Sequence, residues 1–332
     1  AMSGGTLDAD KNLTVSGTLS HSADITIDVA NGKTLTYSGT AIGVGATTIT
    51  LSGGGSFNSG GLTLNNANSK LLLNSITLDS ASTSANSLGL DVNADSTVTS
   101  LAVGHITPVS IATGKSLSGA VTVTAGTLRL GETGTLASNV TMGGGILDAD
   151  ETSTVSGALT QTADITIDVA TGKTLTYSGT AIGVGATTIT LSGGGSFVSG
   201  GVTLNNADSK LLLNSITLDS ASTSANSLGL DVNANSTVTA LSIGHITPVS
   251  IAATKTLSGA VTVTGGSIKL GETGTLASTV AMSGGTLDAD ETSTVSGALS
   301  QAGNISIDVA ADKILTYSGT AIGIGANVLT IS

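Results

Sequence analysis

Cysteine and tryptophan are absent from this chain of 332 residues, proline and phenylalanine each occur twice, and tyrosine occurs three times. Charged residues make up only 10% of it. Each shortage excludes something. Without cysteine there is no disulfide framework of the kind that staples small secreted domains, and a chain exported unfolded through an outer-membrane pore is better off without thiols. Without large rings the core fits an ordinary β-sandwich poorly, and a string of sandwich modules, one to each sequence repeat, is the competing, less favoured architecture. Disorder requires low hydrophobicity and dense charge, yet 39% of the residues are hydrophobic. No apolar run reaches the roughly 18 residues of a membrane-spanning helix, so this segment is not expected to insert in a membrane. Lysine and arginine total 10 against 22 acidic residues, a net charge of −12. That balance repels the phosphates of nucleic acids and anionic lipid surfaces.

What is present in quantity is glycine, 46 residues of it, together with small aliphatics and hydroxyl side chains. The chain repeats itself. Met2, Met142 and Met282 each open a version of M-x-G-G-x-L-D-A-D, and residues 41–57 recur unchanged as 181–197. The copies span 2–141, 142–281 and, in part, 282–332. The chain opens and closes inside a repeat, which predicts a piece of a longer array.

Within each copy, apolar–polar–apolar triplets recur: Leu13-Thr14-Val15, Ile25-Thr26-Ile27, Leu35-Thr36-Tyr37, Ile49-Thr50-Leu51, Leu62-Thr63-Leu64. Period two over so few residues reads as short strands with one buried face. Gly, Asn, Asp and Ser punctuate them, as at Asn31-Gly32, Gly53-Gly54-Gly55 and Gly131-Glu132-Thr133-Gly134, residues that accept the conformations turns need. No stretch carries helical spacing with caps. Short strands, a core of thin aliphatic layers and frequent corners predict an all-β fold: one continuous right-handed parallel β-helix, a β-solenoid, with coils of about 20 residues. A single coil buries too little to offset the entropy of ordering it, so neighbouring repeats of the same chain hold each other up.

The residues that carry chemistry are few. His105 and His245 are repeat equivalents, while His21 becomes Gln161 and Gln301, so the histidines read as surface or corner residues. The acidic pairs Asp8/Asp10, Asp148/Asp150 and Asp288/Asp290 are weak candidates for Ca²⁺, though they lack the nonapeptide of calcium-binding β-rolls and the twelve-residue EF-hand loop. Asp24 and Asp28 recur as Asp164/Asp168 but as Asn304/Asp308 in the third copy, and Asp91/Asp95 recur as Asp231/Asn235. Loss of charge at Asn235 and Asn304 argues against an essential ligand there. Gly43-Val44-Gly45 and Gly53-Gly54-Gly55 have no following helix to make a phosphate cradle and read as corners. No nucleophilic serine stands in G-x-S-x-G with triad partners. No catalytic residue and no cofactor is expected, and the chain does not read as an enzyme. Thr-x-Thr pairs at Thr34/Thr36, Thr48/Thr50, Thr97/Thr99 and Thr122/Thr124 raise ice binding as an alternative, but no regular coil length is expected to keep them in one column.

Residues 121–148 (VTVTAGTLRLGETGTLASNVTMGGGILD) resemble the passenger domains of autotransporters and of two-partner-secreted, filamentous-haemagglutinin-like adhesins, whose β-helices repeat G-T-L and V-x-V phrases. The resemblance implies export across the outer membrane, a β-helical stalk, and adhesion to surface or matrix glycans and proteins at the bacterial cell surface. The alternative reading is a carbohydrate-binding or carbohydrate-cleaving β-helix. That needs clustered carboxylates and exposed aromatics, and only Tyr37, Tyr177 and Tyr317 are on offer, one per copy.

Overall fold

A computed structural model of the chain describes residues 1–131, 133–270 and 273–332, so Glu132 of the predicted turn lies outside the described residues. Among the described residues there are strands and corners but no helix. The residues form two compact units, Ala1–Ile165 and Thr166–Ser332. Each is a parallel β-solenoid, and the paired strands within each run parallel to one another.

In the first unit a turn has three faces. The first face carries strands such as Thr6–Ala9, Ile25–Val29, Thr48–Ser52, Lys70–Asn74, Gly89–Ala94 and Thr107–Ile111. The second carries Leu13–Val15, Thr34–Tyr37 and Ser56–Asn58, and the third Ile42–Gly43 and Leu62–Leu64. Farther on, the second and third faces are made by single bent strands, Thr77–Thr83, Ser96–Val103 and Ser116–Val123. Alternation does the sorting. In Ile25–Val29 every apolar side chain is buried and every polar one is half-buried.

Burial is achieved column by column. Ile25 faces Ile49, Ile49 faces Leu71, Leu71 faces Leu90 and Leu90 faces Val109. None of the five is more than 3% exposed. The second unit repeats the column as Ile189, Leu211, Leu230 and Val249. These pairings also show that turns differ in length: the step from Ile25 to Ile49 takes more chain than the step from Leu71 to Leu90. The variation is taken up in the corners, so the strands stay aligned. The coil length predicted from the sequence is therefore an average rather than a fixed value.

That alignment corrects the expectation about hydroxyl columns only in part: Thr34 and Thr97 share a column, but no Thr-x-Thr pair is continued as a pair, since Thr36 meets Asn58. On the second face Thr34 pairs with Ser56, Ser56 with Thr77, Thr77 with Thr97 and Thr97 with Ser118, one unbroken column over five turns. Thr48 and Thr50 do not extend such a column, because Lys70 and Leu72 follow them. Thr99 falls at a register shift between Val98 and Ser100.

The few aromatics lie on the second face, inside the strands. Phe57 is fully buried between Leu35 and Leu78. Tyr37 is 4% exposed, and its hydroxyl accepts the Leu19 N–H at 3.0 Å. At the bend of Ser116–Val123, Gly119 adopts φ +117°, and a Cβ there would lie 1.8 Å from the Val98 carbonyl oxygen. Gly32 also has a positive φ, +70°, but nothing lies within 4 Å of its would-be Cβ. Gly119→Ala should therefore cost about 3 kcal/mol, from a clash added to backbone strain, and Gly32→Ala about 1 kcal/mol from strain alone. Urea denaturation followed by circular dichroism measures both, and equal losses would remove the packing argument.

Candidate functional site

Many of the side chains that looked chemical in sequence join one turn to the next. Asp24 Oδ1 accepts the Thr48 N–H at 2.8 Å, and Asn304 Oδ1 accepts the Val328 N–H at 2.9 Å. Asp95 Oδ1 accepts the Ser116 N–H at 2.8 Å, and Asn235 Oδ1 accepts the Thr256 N–H at 3.0 Å. The interchange of Asp with Asn follows directly. What each corner requires is one carbonyl-like oxygen for a backbone N–H left without a ladder partner, and both side chains supply it. Asp28 accepts the Ser52 hydroxyl and Asp168 the Ser192 hydroxyl in equivalent short contacts. Asp91 pairs with Lys70 at 2.5 Å and Asp231 with Lys210 at 2.6 Å.

The calcium candidates are divided by the same logic. Asp148 and Asp150 receive Arg129 from the preceding turn, with Nε at 2.9 and 3.2 Å. Asp288 and Asp290 receive Lys269 at the equivalent place, with Nζ at 3.4 and 2.9 Å. Asp8 is exposed and lies opposite Asp28 in the ladder, with exposed Asp10 just beyond its strand. Among the described residues no three acidic or histidine side chains converge into a group able to hold a metal ion.

Burial and the neighbouring Asp290 raise the Asp288 carboxyl above its ordinary value, with Lys269 pulling the other way. The hydrogen bond to Asp148 raises the Arg129 guanidinium, and the one to Asp290 raises the Lys269 ammonium. For Asp288 the sign is unfavourable: the folded chain binds this proton more tightly than the unfolded chain. Its contribution improves as pH falls through the window above the ordinary carboxylate value.

The histidines are corner pieces. His21 Nε2 donates to the Gly43 carbonyl at 3.2 Å and Nδ1 meets Thr47 Oγ1 at 3.1 Å. In the third copy Gln301 Nε2 donates to the Gly303 and Val328 carbonyls at 2.8 Å. His105 and His245 are exposed. Gly53-Gly54-Gly55 is a corner as expected, with Gly53 at φ +99° against the Val29 carbonyl.

Sequence reading passed over one pair of residues, Asp79 and Asp219. Asp79 accepts the Ser59 N–H at 3.0 Å, the Ser59 hydroxyl at 2.6 Å and the Gly60 N–H at 2.9 Å. Asp219 repeats this on Ser199 and Gly200. The sequence shows only that the aspartate and the serine recur in both copies, with nothing local to pair them.

Two open depressions occupy repeat-equivalent places. One, of about 260 Å³, is lined by Ser75, Thr77, Asp95, Thr97, Ser116 and Ser118 among others. Its counterpart, of about 450 Å³, includes Ser215, Thr217, Asn235, Thr237, Thr256 and Ser258. Ser75 and Ser215 both hold φ +61° at the rim, where the Ser75 carbonyl accepts the Gly54 N–H at 2.7 Å. The lining offers hydroxyls and one carboxylate or amide, with no aromatic platform. Comparison with known proteins adds no further constraint: no family model matches the chain, and neither does any curated protein or solved structure.

Two outcomes follow. Asp95→Asn should change stability by less than about 0.5 kcal/mol, whereas Asp79→Ala should cost about 2–3 kcal/mol by stranding three donors; urea midpoints decide between them. The Asp288 carboxyl, followed by carbon-detected NMR, should titrate above an ordinary aspartate, and Lys269→Ala should move it further up.

Proposed function

We propose that this chain is a structural, length-adding segment of a bacterial surface or secreted adhesin, presented outside the cell, and that it is not an enzyme. The observation that carries the reading is the use of its polar residues. Among the described residues Asp24, Asp79 and Asp95, with their equivalents Asn304, Asp219 and Asn235, are engaged in bonds between turns, which commits these oxygens to neighbouring backbone and hydroxyl groups instead of to a reacting centre. Near-identical copies support the same reading, since a spacer gains from each added copy while an active site does not. The absence of cysteine and the phrasing of residues 121–148 favour export. Surface or matrix glycans and proteins are the partners this role implies.

A second reading, a glycan-binding surface, draws on the repeat-equivalent hydroxyl-lined depressions. The hydroxyl column from Thr34 to Ser118 keeps ice binding as a third. A glycan array, a turnover screen on polyuronides and a thermal-hysteresis measurement separate these from the spacer role.

A spacer makes a positive prediction. Deleting residues 142–281 preserves the repeat phase. The shortened chain should keep a single cooperative unfolding transition with its thermal midpoint within a few degrees, as an array does when one copy is removed. Loss of that transition, followed by circular dichroism, would remove the spacer reading.

A further inference from the structure

The two hydroxyl-lined depressions share most of their lining. Asp95 and Ser116 in the first become Asn235 and Thr256 in the second, while the other lining residues are the same in both. In the first, Ser75, Asp95 and Ser116 follow one another on successive turns at a corner. Thr77, Thr97 and Ser118 form a second row two residues farther along each turn. At the usual strand spacing two such steps span about 10 Å, roughly the length of two linked sugar rings.

The serine at the rim is strained. Ser75 and Ser215 hold φ +61°. One turn earlier the same corner carries glycine, Gly54 at φ +81° and Gly194 at φ +83°, the residue that adopts this conformation freely. A serine adopts it at a cost. Yet serine stands there in both copies, exposed, and its hydroxyl has no hydrogen-bond partner among the described residues. Strain retained for a hydroxyl that bonds to nothing in the chain points to a group outside the chain.

The next residue along the corner divides its side chain between two tasks. Asp95 Oδ1 accepts the Ser116 N–H at 2.8 Å and the Ser116 hydroxyl at 3.2 Å, which leaves Oδ2 as a charged acceptor beside the hydroxyls. Asn235 Oδ1 accepts the Thr256 N–H at 3.0 Å, which leaves the Nδ2 amide as a donor in the equivalent place. The structural bond is thus the same in both copies, and the atom offered to a ligand has opposite polarity.

We propose that the two depressions are sugar-binding subsites of different preference, a deepening that rests on the glycan-binding reading above. The first takes an amino sugar, its ammonium on Asp95 Oδ2 and its hydroxyls on Ser75 and Thr77. The second takes the N-acetylated form, its acetamido carbonyl accepting from Asn235 Nδ2. With no ring to stack on, each subsite binds on the order of millimolar.

Titrating the full chain with the disaccharide of glucosamine and with that of N-acetylglucosamine, followed by amide NMR, tests this. The first sugar should shift the signals of Ser75 and Asp95, the second those of Ser215 and Asn235. Asp95→Asn should weaken glucosamine binding about threefold or more, and Asn235→Asp should confer it on the second depression. Ser75→Gly relaxes the corner, so the fold is retained by circular dichroism, and binding at the first depression should fall several-fold. Shifts elsewhere on the chain, shifts unmoved by these substitutions, or equal shifts with ethanolamine as a bare amine overturn the subsites and leave the glycan reading standing. No shift with either sugar overturns both.

Discussion

A strand N–H in this chain has no ladder partner within its own turn. The strands are short, from Ile42–Gly43 to Ser96–Val103, and each finds its hydrogen bonds one turn earlier and one turn later, in parallel register. Everything else in the structure serves that constraint. The column Ile25, Ile49, Leu71, Leu90 and Val109 exists because parallel pairing sets inward residue on inward residue. Each layer is covered by the next and none is sufficient alone, which is the energetics of a one-dimensional array.

Where the ladder breaks, at the corners, side chains take over. Aspartate and asparagine substitute for one another at positions 95/235 and 24/304 because only an acceptor oxygen is required, not a charge. Where charge is used it comes as a pair across turns, Lys70 with Asp91 or Arg129 with Asp148. Several carboxylates of this acidic chain are thereby matched by a cation one turn away. The Leu-Asp-Ala-Asp motif, which in sequence suggested a cation site, in two of its three copies holds a basic side chain from the preceding turn instead. Aromatic rings are few. A layer one strand thick is filled mostly by aliphatic groups, and the rings that do enter it, Phe57 and Tyr37, are buried in second-face strands.

The strand triplets, the repeat phase and the parallel solenoid were legible before any coordinates, since period-two alternation in such short runs leaves few other ways to bury one face. The corners were less so. Unequal turn lengths looked as though they would scatter the hydroxyls, yet Thr34, Ser56, Thr77, Thr97 and Ser118 share one column, because the extra residues loop out instead of shifting the strands. Asp79 was not legible either. Its partners Ser59 and Gly60 lie a full turn away, and nothing local marks the three bonds it accepts.

The sequence alone determined the periodicities: the long interval from Met2 to Met142 for the copy, alternation for the strand, and a composition too poor in rings and charge for a globular core or a disordered chain. These are local properties, set by side-chain type and order. The tertiary structure alone decided which oxygen meets which N–H and which carboxylate is neutralised by which cation. Those are contacts between residues a full turn apart, and their identity depends on how each corner absorbs its length.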